Sequence, residues 1–172
     1  MGLVLATLDD WGRYFDVPPP PHAPSLLAAA CQNIIDFCGW PIERHTVEEE
    51  YDGHGGRVLT LHTMRLREVH GVRVDGQPVN DFRVSRRYAQ IRHPTAWPEG
   101  FGRIIVSYTA GYEPVPDNIA ALAVGLASRA ASVPAGVVSE TVDRLTVRYA
   151  QATKLDPLDE AALERYRLGA RP

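Results

Sequence analysis

The side chains that could do chemistry here fall into three groups. Histidine and carboxylate side chains do acid–base work, and an enzyme in this chain would build its site from His62, Glu48 and Asp52. His45, His54 and His62 could converge across a hairpin and hold a metal, but no HxxxH, HExxH or CxxC spacing supports a zinc site. Arg83, Arg86, Arg87 and Arg92, with Tyr88 among them, could contact phosphates. No helix-turn-helix, zinc-finger or RNA-binding signature accompanies them.

Other chemistry is weaker still. Gly53-His54-Gly55-Gly56 lacks the Lys-Ser/Thr and the following helix of a phosphate loop. No GxSxG elbow occurs. Glu48-Glu49-Glu50 would alternate faces on a strand, which makes it a solvated strand end rather than a cation site. Cys31 sits mid-helix on an apolar face, where the thiolate is disfavoured. The sequence therefore offers no cofactor, no metal and no catalytic constellation.

The elements that must position these residues can be read in order. Thr7 caps a short helix ending near Phe15, with Leu8, Trp11 and Phe15 on one side. Pro18 to Pro21 form a stiff spacer. A second helix opens at Ser25 or His22 and runs to Cys38, with Leu26, Ala30, Ile34 and Cys38 in one row and Leu27, Cys31 and Ile35 in the next. Gly39 and Pro41 end it. Cys31 and Cys38 lie about 10 Å apart along that helix, too far for an unstrained disulfide, and read as buried small hydrophobes of a reducing compartment.

From 43 to 109 the period becomes strand-like, with candidate strands at 43–51, 57–62, 66–74, 78–84, 88–92 and 102–108. Val69, Val72, Val74, Val79, Phe82 and Val84 supply an apolar face, and Asp75-Gly76 predicts a two-residue type I′ turn. After Gly111 and Pro114/Pro116, Asp117 opens a long helix with Ile119, Leu122, Ala123, Leu126 and Ala130 inward. Residues 144–149 alternate like a strand. Asp156, Pro157 and Asp159 begin a last helix with Leu158, Ala162, Leu163 and Tyr166 on its apolar side. The expected fold is α+β: a helical bundle framework of about four helices with an antiparallel β meander inserted between the second and third. That is one domain over 1–172, its helical core at 7–40 and 115–168 and its β insert at 43–109.

Composition is that of a soluble globular chain: 172 residues, 45% apolar and 23% charged. No signal peptide and no bilayer-spanning run are expected. Net charge is −3, unevenly spread: residues 1–56 carry 9 acidic and 2 basic side chains, residues 57–103 carry 4 and 9. Unlike patches of this kind can attract, within a chain or head to tail between copies, and the alternative reading is an ordinary mixed solvated surface.

The strand Ile104-Ile105-Val106-Ser107-Tyr108, the Thr109-Ala110-Gly111-Tyr112 break, the proline pair and the Ala-rich helix after Asp117 carry a resemblance. So do Ser139-Glu140 to Tyr149 and Leu163-Glu164-Arg165-Tyr166-Arg167. The pattern resembles the head–tail connector (head-completion or adaptor) proteins of long-tailed bacteriophages and their prophages. It departs from them in its proline spacer and in a β insert longer than the family's helical minimum. The resemblance implies a non-enzymatic virion protein at the head–tail junction, present in host cytoplasm during assembly. It implies a homo-oligomer, a dodecameric ring beneath the portal protein, that meets a downstream neck or tail-completion protein. DNA would pass through its channel without sequence-specific binding, and no membrane is involved. It places Leu163, Tyr166 and Arg167 near the portal; the charge pattern adds Arg86 and Arg87 at a subunit or portal contact. The alternative is a small nucleic-acid-binding or regulatory protein.

Overall fold

The computed structural model describes residues 4–132 and 153–169. It divides into two compact units, one from the chain up to Ile42 and from Pro114 onward, the other Glu43–Glu113. The class is mixed α+β, with four α-helices among the described residues and antiparallel sheets. The alternating run at 144–149 and the link at 136–140 fall outside the described residues.

In the helical unit, α1 is Leu8–Tyr14. Its start is a capping box: the Asp10 carboxylate accepts the Thr7 N–H at 2.8 Å, and Thr7 Oγ1 accepts the Asp10 N–H at 3.4 Å. One expectation fails here. Only Trp11 of the expected apolar side is buried, whereas Leu8 and Phe15 are 42% and 37% exposed. A helix of seven residues buries one turn's worth of face, and the apolar Leu5 and Ala6 just before it are buried as well.

Helix α2, Ala23–Cys38, buries Leu26, Leu27, Ala30, Cys31, Ile34 and Cys38, the two rows expected from the sequence apart from a half-buried Ile35. Gly39 ends it, donating its N–H to Ile35 O at 2.8 Å. The Cys38 carbonyl, left free by the helix end, accepts the Leu168 N–H at 2.8 Å. Both cysteines are buried and neither forms a disulfide, and burial pushes the Cys38 thiol up to about 11. The folded protein should therefore resist a thiol reagent at pH 8 and react at both cysteines once denatured. Fast labelling of the native protein would show that the α2 core opens.

Helix α3, Asp117–Ala131, packs on α2 and buries Ile119, Ala123, Val124, Leu126, Ala127 and Ala130. Leu122, expected among them, is half-buried instead. Helix α4, Pro157–Leu163, has Asp156 at the N-cap with Asp159 closing the box. Arg129 on α3 donates to Asp156 at 2.8 Å and also pairs with Asp159. Leu158 is 82% exposed and Ala162 is exposed, so α4 and the 3-10 turn Glu164–Tyr166 bury Leu163 and Tyr166 alone. No helix among the described residues is long and apolar enough to cross a membrane.

The β unit has seven strands in two sheets: β1 His45–Gly53, β2 Val58–Thr60, β3 Leu66–Val74, β4 Gln77–Val79, β5 Arg83–Ser85, β6 Gln90–Arg92 and β7 Gly100–Ala110. Their orders are β1-β7-β3-β4 and β2-β6-β5, every pair antiparallel. The single meander expected from the sequence is not the pairing found. The last strand, β7, enters between β1 and β3, and the expected strand at 78–84 is broken into β4 and β5. The reason is burial: β7 carries Ile104, Val106, Tyr108 and Ala110, all 0% exposed, and a strand that apolar takes the central place. The Asp75-Gly76 turn forms as expected, with φ of 48° and 80° at its two central residues. One core joins Tyr51, Leu66, Val72, Ile104, Val106 and Tyr108 of the first sheet to Leu59 and Ile91 of the second. Val84, expected on the apolar face, is 39% exposed.

Candidate functional site

His62, Glu48 and Asp52 are not brought together. Glu48 accepts from Arg73 at 2.8 Å, and Asp52 accepts the Gly102 N–H at 2.8 Å. His62 lies instead beside Glu49, Nδ1 to Oε2 3.7 Å, with its ring against that of Tyr51. His45 Nδ1 sits 2.8 Å from its neighbour's carbonyl at Glu43. Among the described residues, no group of three or more His, Cys, Asp or Glu is placed to hold a metal ion.

What the sheet does gather is Glu49, Tyr51, Tyr108 and His62, a set that sequence reasoning missed. Alternation puts Glu49 and Tyr51 on one face of β1, and Val47↔Tyr108 pairing brings the second ring alongside. Both tyrosine hydroxyls donate to Glu49 Oε2, that of Tyr108 at 2.7 Å. The His62 backbone N–H donates to the Tyr51 oxygen at 3.1 Å. Burial, reinforced by these bonds, raises the ionisation of both tyrosines well above the ordinary range. Hydroxyls held protonated against a carboxylate brace a sheet; they do not serve as nucleophiles at neutral pH.

A pH effect follows, with a definite sign. Unfolded tyrosine loses its proton near pH 10, while these two keep theirs in the fold. The unfolded chain then binds fewer protons, so stability is intact below about pH 10 and falls above it, by about 1.4 kcal/mol per pH unit for each tyrosine. Urea midpoints between pH 9 and 11.5 measure this. The Tyr51→Phe/Tyr108→Phe protein should show a shallower loss; an equal slope would mean that the hydroxyls ionise freely in the fold.

The arginines occupy the second sheet. Arg86, Arg87 and Tyr88 form the exposed β5–β6 turn, Arg87 lying 5.5 Å from the centre of the Tyr88 ring. Arg83 and Arg92 face each other directly across β5 and β6, and Arg92 pairs on its other side with Val58, next to Arg57. Arg57, Arg83 and Arg92, with Asp81, Phe82, His93 and Pro94, line a cleft of about 400 Å³. Of the arginines at 83, 86, 87 and 92, the first and last share this cleft, and Arg86 and Arg87 lie in the turn that joins their strands.

Leu163 and Tyr166 lie in the core of the helical unit, at 1% and 8% exposure. The Tyr166 hydroxyl donates to Asn118 Oδ1 at 3.0 Å, and its carbonyl accepts the Trp40 indole N–H at 2.6 Å. Arg167 is exposed, its guanidinium over the Phe37 ring and 3.5 Å from Glu164. In chemical terms this chain carries a charged cleft and charged surfaces on two apolar cores.

Comparison with known proteins points the same way. No curated protein matches the chain. In fold it is similar to a chain of a solved structure described as "Neck of empty GTA particle computed with C6 symmetry". The two share 16% identity and a TM-score of 0.61 over 98% of this chain and 94% of that one. At that identity the likeness is one of fold. The model of a family described as "Head completion protein" matches residues 4–127, which takes in α1, α2, the whole β unit and most of α3. The chain belongs to the head completion protein family.

Proposed function

We propose that this chain is a structural virion protein of a tailed phage or prophage. It is a head-to-tail adaptor that forms a ring beneath the portal and links the DNA-filled head to the tail neck. The family match over residues 4–127 carries this reading. The fold likeness to a chain of a neck particle computed with C6 symmetry supports a cyclic arrangement, and a dodecamer is compatible with that symmetry. It acts by assembly rather than turnover, as one connector domain over 1–172 in which the β insert at 43–109 interrupts a helical core at 7–40 and 115–168. Arg86 and Arg87 take a subunit or portal contact. Leu163 and Tyr166 hold the last turn in place from beneath, so that Arg167 and its flank face the portal. The downstream neck protein meets the ring, and DNA passes through it without being read.

Deleting the reading frame from its phage should leave DNA-packed heads and free tails that do not join, and supplying the protein should restore joining. Normal tailed particles without it would overturn the proposal. The arginines of the second sheet, in no ion pair among the described residues, favour one competing reading, a small nucleic-acid-binding protein. That reading requires duplex binding that weakens steeply with salt, whereas the adaptor should show none that survives physiological salt.

A further inference from the structure

We propose that the arginine cleft of the β unit receives the acidic edge of strand β1 from a second copy of the chain, an inference that rests on the ring reading above. The cleft gathers three arginines, and among the described residues none of them is in an ion pair. Arg83 and Arg92 stand directly opposite each other on β5 and β6, an arrangement that costs stability on its own. Neither they nor Arg57 has a carboxylate partner among the described residues, and Asp81 is the only acid on the cleft wall. Such a cost is offset when an anion sits between the guanidinium groups, which grip carboxylates through paired N–H donors.

The chain offers a matching surface. Strand β1 lies at the edge of the first sheet. Its alternation puts Glu48, Glu50 and Asp52 on one exposed face. Glu48 is held by Arg73 and Asp52 by the Gly102 N–H, while Glu50 has no basic partner among the described residues. Carboxylates two residues apart on a strand are separated by about 6.7 Å, a spread that neighbouring arginines on adjacent strands can meet one to one. An acidic edge suits this cleft better than a nucleic-acid backbone, because Phe82 and Pro94 give an apolar wall for a strand's side chains. The two patches differ, and each copy carries both, so the contact is head to tail and repeats until it closes.

Two arms test this with full-length protein. The Arg83→Glu/Arg92→Glu protein and the Glu48→Arg/Glu50→Arg protein should each fold, as judged by circular dichroism, and each fail to self-associate on portal rings. Mixed in equal amounts they should assemble, since every contact then joins unlike charges. Failure of the mixture where the wild type assembles overturns the proposal. The second arm needs no ring. A labelled peptide of residues 45–53 should bind the wild type at least about tenfold more tightly than the Arg83→Glu/Arg92→Glu protein. Equal binding removes the cleft as the site and leaves the adaptor reading standing. Peptide binding without any ring sustains the cleft while the adaptor reading fails. Duplex DNA binding that the arginine variant loses, with no peptide binding, assigns the cleft to nucleic acid instead and overturns the proposal.

Discussion

Leu126→Asp unfolds the helical unit, and Leu122→Asp does not. Leu126 is 0% exposed on α3. Its burial contributes roughly 1.5–3 kcal/mol, and a carboxylate forced into the same space costs several kcal/mol more. Together these approach the whole stability of an ordinary domain, about 5–15 kcal/mol. Leu122, one turn earlier, sits at the margin of the same face and is only half-buried. It lines an open groove of about 350 Å³ with Phe15, Ala121, Gly125 and Leu126. A carboxylate there reaches water, so the loss should be about 1 kcal/mol, the cost of the apolar contact alone. Helical circular dichroism through a urea titration separates the two: the Leu126 variant should lack the folded baseline, the Leu122 variant should keep it with a lower midpoint. Equal midpoints would contradict the burial difference on which the contrast rests.

That difference also shows where periodicity stops being informative. Spacing of three and four puts Leu122 with Ile119 and Leu126 on a broad face, and the pattern cannot tell the middle of that face from its margin. The buried set includes Ala120, Val124 and Ala127, which shifts the face away from Leu122. The same limit explains α4. Its cap residues Asp156 and Asp159 were legible because capping is a local hydrogen-bond pattern. Leu158 was misplaced because a helix of seven residues has too few positions to fix a face. The Asp75-Gly76 turn and the Gly39 stop are local too, and both formed where expected.

Sheet order is the opposite case. The strands themselves were legible within a few residues, but which strand lies beside which depends on contacts far apart in sequence. Strand β7 pairs with both β1 and β3. Nothing in a local window says so, although its unbroken apolar stretch from Ile104 to Val106 signals a central strand. The tyrosine–glutamate brace is a product of that order: Glu49 meets Tyr108 only because β1 and β7 are neighbours. The arginine surface was half legible. Its charge is plain in composition, while the facing pair Arg83 and Arg92 and the inclusion of Arg57 emerge from strand register.

The sheet's exit point yields the second large effect. Gly111→Ala should destabilise the β unit by on the order of 4 kcal/mol, while Gly125→Ala should stabilise the helical unit by about 0.5–1 kcal/mol. Gly111 has φ of 97°, and a Cβ there would stand 2.1 Å from the Glu43 carbonyl oxygen, a backbone atom that cannot swing aside. The residue is fixed on its other sides as well. Its N–H donates to Arg65 O at 2.9 Å, and its carbonyl accepts from Arg67 Nε at 2.9 Å. Rotating φ to relieve the clash would break these bonds and the Glu43↔Tyr112 bridge beside them. Gly125 lies inside α3 with nothing within 4 Å of a Cβ, so alanine there only removes backbone freedom from the unfolded chain. The opposite signs are the test, read from urea midpoints. A neutral Gly111→Ala would mean that the strand end can yield. It would remove the reason for reading Gly111 as the fixed point where the chain leaves the sheet, because a joint that accepts a side chain at that distance has no defined geometry to hold.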